Sequence, residues 1–489
     1  MPSTLSRRLS LATLSMLTLA SCAALQPVSL ESSAAALQVA STPSLRIGGT
    51  GRWYQFGQAP APGQPWPAFE LSRYSADIDY EHAAARVQIT RRQVVEPGRD
   101  RPAPVDQSAD QYLVGVQAWN RPAAPATATA QPAAVAERSA EIWATPQGFV
   151  KAALAHQART RTTDQGTEVS FRIDGQARYV GWLDARGRVE RVQAWIATPV
   201  LGDTLVETRY SGYKDFAGVP FPTRIQRSQG GHPVLDLQVT EVQRQAAPDW
   251  AVPPEVAVAA AVPVTVTAIP LAEGVYHLTG GSHHSVLIEQ RDHVVLVEAP
   301  LNEERSLALI AKVQELVPGK PIKYLVNTHA HFDHSGGLRT FVDHGAVIVT
   351  QQDNRAFYEQ AWAAPRTLGP DRLAASGQGA RFETFRGKHV LSDGRRRIEI
   401  HEIAGNGHND AFALVYLPAE KILVEADAYT PPAASQPLPA SPNPYTVNLV
   451  RNIERLQLDV QRVAALHGPR VVTLAELRSA AAGPATAQR

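Results

Sequence analysis

Cysteine is almost absent from this chain, because Cys22 is the only one in 489 residues. A single thiol at that position excludes cysteine as a metal ligand in the C-terminal half. Charge of one sign is lacking too, since 47 Lys and Arg stand against 46 Asp and Glu, for a formal net charge of +1. A neutral balance gives no general electrostatic attraction to nucleic acid, and we expect no nucleic-acid partner.

Long hydrophobic runs are also missing. No stretch approaches 18 uninterrupted apolar residues, so we do not expect the mature chain to span a membrane. Hydrophobic residues nevertheless make up 44% of the chain and charged residues 19%, which is typical of soluble globular domains with real cores. From the length we predict two domains.

The N-terminus has the features of an export sequence. Arg7 and Arg8 precede a short apolar stretch over 9–19, and the letters LASC that end at Cys22 resemble a bacterial lipobox. We therefore predict that residues 1–22 are a signal peptide and that Cys22 is lipidated. This places the protein on the periplasmic side of the bacterial cell envelope, with a lipid anchor as its only membrane contact. The alternative is a plain signal peptide and a periplasmic or secreted protein.

Short runs of alternating apolar and polar residues fill 45–245, and Gly, Pro and Asp separate them. This period of two predicts an antiparallel β-rich domain built on one long curved sheet. A Pro-, Ala- and Thr-rich stretch over 121–134 predicts a surface loop, and 146–157 is a helical candidate. The Pro-, Ala- and Val-rich segment 246–268 predicts a linker to the next domain.

The N-terminal domain resembles the lipoprotein-carrier fold, in which a curved antiparallel sheet wraps around helices and can hold acyl chains, although no motif carries this resemblance. A β-domain that packs on the following domain, or spaces it from the membrane, is the alternative.

Strands and helices alternate from residue 269 onward. An apolar strand at 294–297, a helical face on 309–317 and a second strand at 323–326 predict a layered domain over 269–475. The whole chain is therefore expected to be α+β. Further elements are predicted as strands at 347–350, 398–403, 413–417 and 422–425, a helix at 446–466 and a flexible tail at 476–489.

The decisive segment follows the strand that ends at Asn327 and has the pattern HxHxDH. It contains His329, His331, Asp333 and His334. Imidazole and carboxylate groups suit Zn²⁺, and a tight loop after a strand can direct alternate side chains to one ion and the rest to a neighbour. The segment therefore predicts two close metal sites.

This loop resembles the signature of the metallo-β-lactamase superfamily, and the resemblance implies an αββα sandwich for the C-terminal domain. It also implies further metal ligands downstream, which match His408, Asp427 and His467 in order along the chain. The resemblance assigns His329, His331 and His408 to the first metal, Asp333, His334 and His467 to the second, and Asp427 to a bridging position.

Other residues receive roles from their positions. Glu298 follows the strand at 294–297, where many members carry an Asp that braces the metal loop, so we expect it to support the ligands from behind. Asp333 is expected to be catalytic as well as a ligand, by orienting the attacking hydroxide. His283 and His284 lie in a Gly-Ser turn near the site, and one of them could touch substrate. The predicted substrate contacts are His284, Tyr358, Trp362 and Tyr429.

The resemblance implies a hydrolase with two Zn²⁺ ions, or iron or manganese in their place. A hydroxide shared by the metals would attack an activated carboxyl derivative: an ester, lactone, thioester or lactam. A small molecule is thus the expected substrate, and the oligomeric state is left open. Three alternatives remain: a β-lactamase, an iron-dependent oxidoreductase similar to persulfide dioxygenases, and a lipid-binding scaffold without enzymatic activity.

Overall fold

The structure is a computed structural model that describes residues 28–122, 127–173, 177–246, 250–259, 262–438 and 441–483. The predicted signal peptide and Cys22 lie outside the described residues, so export and lipidation stay predictions. Within the described ranges, no helix has the length and apolar character needed to cross a membrane.

The N-terminal domain is a large antiparallel sheet. Its strands pair in the order β6-β5-β4-β3-β2-β1-β13-β12-β11-β10-β9-β8-β7, which gives 13 strands over the described residues. Buried and less buried side chains alternate along these strands, as the period of two predicts. In chain order the strands are β1 (Ser44–Tyr54), β2 (Ala68–Asp79), β3 (Ala84–Gln93), β4 (Asp106–Val114), β5 (Gln117–Asn120), β6 (Thr129–Ala130), β7 (Arg159–Thr163), β8 (Gly166–Ile173), β9 (Ala177–Leu183), β10 (Val189–Thr198), β11 (Gly202–Phe216), β12 (Val219–Gln229) and β13 (His232–Arg244).

Three helices lie against this sheet: α1 (Leu30–Ala36), α2 (Val135–Ala144) and α3 (Pro146–Ala155). Helix α3 confirms the helical prediction for 146–157 except at its last two residues, and it begins where the Thr145 side chain accepts from the Gly148 amide. Helix α2 packs on β3, β4 and β5 as well as on β10. The sheet therefore curves around its helices, as expected for this domain.

One cavity inside the curved sheet is small. It lies beside Tyr74 and Tyr210 and measures about 30 Å³, which is too little for an acyl chain. A second space of about 510 Å³ lies beside helix α2 and is lined by Trp143, Tyr179 and Trp195. Lipid binding by this domain therefore stays a prediction.

The predicted loop at 121–134 is partly wrong. Strand β6 pairs with β5 inside it, and a short 3₁₀ helix, Pro132–Ala134, leads into α2. Another 3₁₀ helix, Val39–Ser41, follows α1. A two-residue strand is too short to show a period of two, so composition alone could not reveal it.

The C-terminal domain contains two further sheets. Helix α4 (Pro254–Ala259) precedes this domain and packs on β5 and β6 of the N-terminal sheet. The helices of the domain itself are α5 (Glu303–Leu316), α6 (Phe332–Ser335), α7 (Leu338–Asp343), α8 (Gln352–Trp362), α9 (Arg372–Ser376), α10 (Pro444–Arg455) and α11 (Leu474–Ala482). Its strands are β14 (Thr267–Ala272), β15 (Val275–Thr279), β16 (Ser285–Glu289), β17 (Val294–Val297), β18 (Ile322–Val326), β19 (Val347–Gln351), β20 (Phe382–Phe385), β21 (Lys388–Ser392), β22 (Arg397–Glu402), β23 (Ala413–Leu417), β24 (Ile422–Glu425), β25 (Arg462–Ala465) and β26 (Val472–Thr473).

The two sheets stack between layers of helices. Over the described residues, β14 to β20 form a seven-stranded sheet and β21 to β26 a six-stranded one. Along β17, Val295 and Val297 join the core between the sheets, whereas Val294 and Leu296 join the core under α5, α7 and α8. Helices α10 and α11 pack on the other sheet. The order of layers is helices, sheet, sheet and helices, as predicted.

Three boundaries of the C-terminal elements differ from the predictions. Helix α4 lies inside the expected linker 246–268, because Val256 is buried against Tyr112 and Trp119 of the N-terminal sheet. The predicted helix 446–466 is wrong in its second half, since α10 ends at Arg455 and β25 then pairs parallel to β24. The expected tail 476–489 begins with α11, which a capping box at Thr473 and Glu476 stabilises.

Candidate metal centre

The predicted ligands all lie at the carboxyl ends of strands. His329 and His331 are in the extended segment after β18, and His331 is the N-cap of α6. Asp333 and His334 are in the first turn of that short helix. The other three follow strands β22, β24 and β25, which end at the same edge of the second sheet; they are His408, Asp427 and His467.

Asp427 lies at the centre of these side chains. One carboxylate oxygen, Oδ2, is 3.1 Å from His408 Nε2 and 3.7 Å from His329 Nε2. The other, Oδ1, is 3.1 Å from His334 Nε2 and 3.4 Å from His467 Nδ1. The two oxygens therefore face two separate groups of histidines, which is the arrangement that a bridging carboxylate requires.

The first group consists of His329, His331, His408 and Asp427, whose possible ligand atoms lie within 4.8 Å of one another. The nitrogens that face inward, Nε2 of His329, Nδ1 of His331 and Nε2 of His408, are buried and have no hydrogen-bond partner. His331 donates from Nε2 to the Ala59 carbonyl at 2.9 Å, which leaves Nδ1 with its lone pair. Unpartnered buried nitrogens are costly, and a divalent cation is the ligand that fits them.

The charge states of the first group suit metal binding. Burial, together with the neighbouring His408 ring, lowers the pKa of His331 to about 3. Burial also lowers the pKa of His329 well below its usual value, and the neighbouring His331 ring lowers it further. Both rings are therefore neutral at physiological pH, which is the form that ligates metals.

The second group consists of His283, Asp333 and His334. The sequence pattern placed His283 in a Gly-Ser turn near the site and did not assign it to a metal. The possible ligand atoms of the three residues also lie within 4.8 Å of one another. Burial raises the pKa of Asp333, but the close contact with the His283 ring and the charge of His334 outweigh it and hold that pKa well below the usual value. Burial opposes protonation of His334, yet the Asp427 carboxylate holds its pKa well above the usual value. His467 lies beside this group: its Nδ1 is 3.4 Å from Asp427 Oδ1, and its ring stacks on His283 with centroids 4.3 Å apart.

Glu298 braces the metal loop from behind and is fully buried. Its Oε1 accepts from Asn327 Nδ2 at 3.0 Å and from the Thr328 amide at 3.3 Å. Its Oε2 lies 3.2 Å from His334 Nδ1, so that the Nε2 of this ring faces Asp427. The backbone of Glu298 has a left-handed φ of 74°, which is uncommon for a non-glycine residue. It lies where the sequence placed a supporting carboxylate.

The loop between β1 and β2 of the N-terminal domain touches the metal centre, and nothing in the sequence pattern predicted this. Gln58 Nε2 donates to Asp333 Oδ1 at 2.9 Å. The Ala59 carbonyl accepts from His331 and also from Asn409 Nδ2 at 3.1 Å. Ligand orientation in the C-terminal domain thus depends on a loop of the other domain.

Packing around Phe332 holds that loop in place. Its amide donates to the Gly57 carbonyl at 3.1 Å, and its ring lies 5.2 Å from Phe56 and 5.6 Å from Trp66 in edge-to-face geometry. Gly57 has a φ of 80°, and a Cβ there would lie 2.9 Å from the Phe332 ring. Only glycine therefore fits this close approach.

Two predicted substrate contacts lie in the core instead. Tyr358 is fully buried and donates from its hydroxyl to Asn327 Oδ1 at 2.6 Å, so it supports the start of the metal loop. Tyr429 is 4% exposed and packs between the sheets, while its amide donates to Glu425 at 3.0 Å. Their burial gives no support to a place in a pocket wall, and their role as substrate contacts stays a prediction.

The other two predicted contacts are also engaged elsewhere. His284 is buried and donates from Nε2 to the Gly468 carbonyl at 2.7 Å, so its neighbour His283 is the one that faces the site. Trp362 stacks on Tyr358 and on Phe382. Among the described residues, the surface pocket that it lines contains none of the metal-binding side chains.

Arg366, in the segment that follows α8, contacts the N-terminal domain. Its guanidinium donates to the carbonyls of Thr198, Pro199 and Val200, at 3.3, 3.0 and 2.8 Å. This residue therefore ties the C-terminal domain to the turn after β10 rather than forming a pocket wall.

Residues 278–428 match the family model of the metallo-beta-lactamase superfamily. An uncharacterized protein of Bacillus subtilis (strain 168), YobT, is 34% identical over 71 residues, which cover 14% of this chain and 29% of YobT. The chain thus spans less than a third of that relative.

Solved structures of metallo-beta-lactamases are similar to a little under half of this chain. FIM-1 from Pseudomonas aeruginosa, in its mono-zinc form, is 20% identical, with 45% of this chain and 94% of that chain covered and a TM-score of 0.35. The enzyme from Hirschia baltica is 21% identical, with 45% and 97% covered and a TM-score of 0.34.

Proposed function

We propose that this protein is a hydrolase whose C-terminal domain holds two metal ions that share Asp427. The observation that carries the proposal is the division of the Asp427 carboxylate, because Oδ2 faces His329 and His408 while Oδ1 faces His334 and His467. The match of residues 278–428 to the model of a superfamily of mostly metal-dependent hydrolases supports it.

The donor set favours zinc. Both groups offer imidazole nitrogens and carboxylate oxygens and contain no thiolate, which suits Zn²⁺, with iron or manganese as the alternative. Two Zn²⁺ ions are proposed, one in each group. When bound, they would supply an activated water near neutral pH and a Lewis acid for the substrate carbonyl.

The protein side chains have distinct roles in this proposal. Asp333, held ionised by His283 and His334, would accept a hydrogen bond from the attacking water and orient it. Gln58 fixes the other carboxylate oxygen of Asp333 and so limits its rotation. Glu298 keeps His334 in one orientation.

The proposed reaction is hydrolysis of an activated carboxyl derivative of a small molecule: an ester, lactone, thioester or lactam. A carboxylate in the bridging position makes this site similar to lactonase and esterase members of the superfamily. The neutral overall charge, +1, gives no support to a nucleic-acid substrate.

The test is metal analysis of the purified protein combined with a panel of lactone, thioester, aryl ester and cephalosporin substrates. The His331→Ala variant should lose hydrolysis, whereas a change of the exposed His344 to Ala should not. About two zinc ions per chain in the parent would support the proposal, and the best substrate identifies the subclass. One iron per chain would favour the dioxygenase alternative, and no metal would favour the scaffold.

Export is proposed on sequence alone. Residues 1–22 would be removed and Cys22 lipidated, which would anchor the enzyme on the periplasmic side of the envelope. Fractionation of cells that express the parent and a Cys22→Ala variant tests this. The parent should be in the membrane fraction and the variant should not; equal distribution would contradict lipidation.

A further inference from the structure

His283 is a buried histidine at the turn between β15 and β16. It is 7% exposed, and its Nε2 is buried without a hydrogen-bond partner of good geometry. That atom lies 3.3 Å from Asp333 Oδ2. An unpartnered imidazole nitrogen that faces an ionised carboxylate is the feature seen at the ligands of the first group.

The turn around His283 is fixed relative to the other ligands. Its backbone forms an isolated antiparallel bridge with His467, and the rings of the two residues stack with centroids 4.3 Å apart. The same ring lies edge-on to His334, with centroids 4.9 Å apart. The position of His283 next to the second group is thus set by backbone pairing and ring packing together.

The other ring nitrogen of His283 has a partner that permits ligation. Nδ1 lies 2.9 Å from Ser282 Oγ, which can accept a hydrogen bond from its N–H. In that tautomer Nε2 carries the lone pair, as it must in a metal ligand.

We propose that His283 is a ligand of the second metal through Nε2, together with Asp333 and His334. These three residues place their ligand atoms within 4.8 Å of one another, as the first group does. The His467 side chain is 39% exposed, and its Nδ1 lies 3.4 Å from Asp427 Oδ1. The second metal would therefore be held by His283, Asp333 and His334, with His467 as an outer donor. The inference rests on the proposed two-metal function.

The competing explanation is that His283 donates a hydrogen bond to Asp333 and does not ligate. Two variants separate these roles. His283→Gln places an amide donor near the position of Nε2 and keeps the hydrogen bond to Asp333, whereas His283→Ala removes both functions. The exposed His344→Ala is the control.

Competition titrations with zinc and Co²⁺ absorption spectra would give the affinity of each site. If His283 is a ligand, both variants should weaken the second site by more than about 100-fold, beyond the range usual for outer residues, and change the spectrum of the second Co²⁺. The first site should be unchanged. Circular dichroism of the metal-free proteins checks that each variant folds.

A second site in His283→Gln that matches the parent would overturn the proposal and leave a hydrogen-bonding role. Parent-like affinity in both variants would exclude any role for this residue. A parent that binds fewer than two metals would contradict the proposed function itself, a result that is visible before any variant is compared.

Discussion

Replacing Gln58 with leucine should weaken the metal centre from a distance, across the boundary between the two domains. The Gln58 amide donates to Asp333 Oδ1 at 2.9 Å, and this carboxylate is a ligand of the second group. Leucine is similar in size, so the loop between β1 and β2 should keep its packing on Phe332. The change therefore removes one hydrogen bond and little else.

The magnitude follows from the charge of the acceptor. A hydrogen bond to a charged group contributes about 1.5–3 kcal/mol, and about 1.4 kcal/mol corresponds to a factor of ten in binding. We expect Gln58→Leu to weaken the second metal site by roughly 10- to 100-fold, the range found for outer residues at metal sites. The first site should change little, because the Ala59 carbonyl still fixes His331.

The assay is a competition titration with a zinc chelator, together with kcat/KM on the best substrate of the panel. Gln64→Leu is the matched control, since Gln64 is exposed in the same loop. Affinities within twofold of the parent in both variants would refute the idea that the N-terminal domain positions Asp333. Loss at both metal sites would instead indicate that the loop had moved as a whole.

Further predictions concern other residues. Glu298→Gln should weaken metal binding by about 10- to 100-fold, because a neutral amide replaces the carboxylate behind His334; chelator competition measures it. Arg366→Lys should lower the free energy of unfolding by about 1–3 kcal/mol, since one ammonium cannot satisfy the three carbonyls at 198–200; urea titration measures it. His277 titrates at a pKa of about 4, lowered by burial and by the nearby His284, from a usual 6.5. As the pH falls, the histidine of the unfolded chain takes up a proton before the buried one does. The contribution of neutral His277 to the free energy of unfolding is therefore complete above pH 6.5 and falls by roughly 3 kcal/mol as the pH drops toward 4. His277→Gln should flatten this pH dependence in urea titrations.

The metal loop could be predicted from sequence because its chemistry is local. HxHxDH places four donors within one tight turn, and the apolar run before it identifies the strand that positions them. The strands at 413–417 and 422–425 were predicted at their observed bounds, since both are nearly continuous apolar runs of strand length. Asp427 follows the second of them and is brought to the centre by that hairpin.

The features that the sequence did not predict depend on contacts between distant parts of the chain. Val460 and Val463 fit a helical spacing, but β25 pairs with β24, and Gln457, at a φ of 54°, ends the helix before them. His283 is buried only because its turn pairs with the segment at His467. Gln58 is separated by 275 positions from the carboxylate that it contacts, and no local pattern encodes that docking.

X-ray absorption of the zinc-loaded protein tests the central claim most directly, because it detects the distance between the two metals. A carboxylate that faces two histidine groups predicts about two zinc ions per chain and zinc–zinc scattering at roughly 3.5–4 Å, lost in Asp427→Ala. A single zinc without a metal neighbour, in protein loaded with excess zinc, would contradict the shared site.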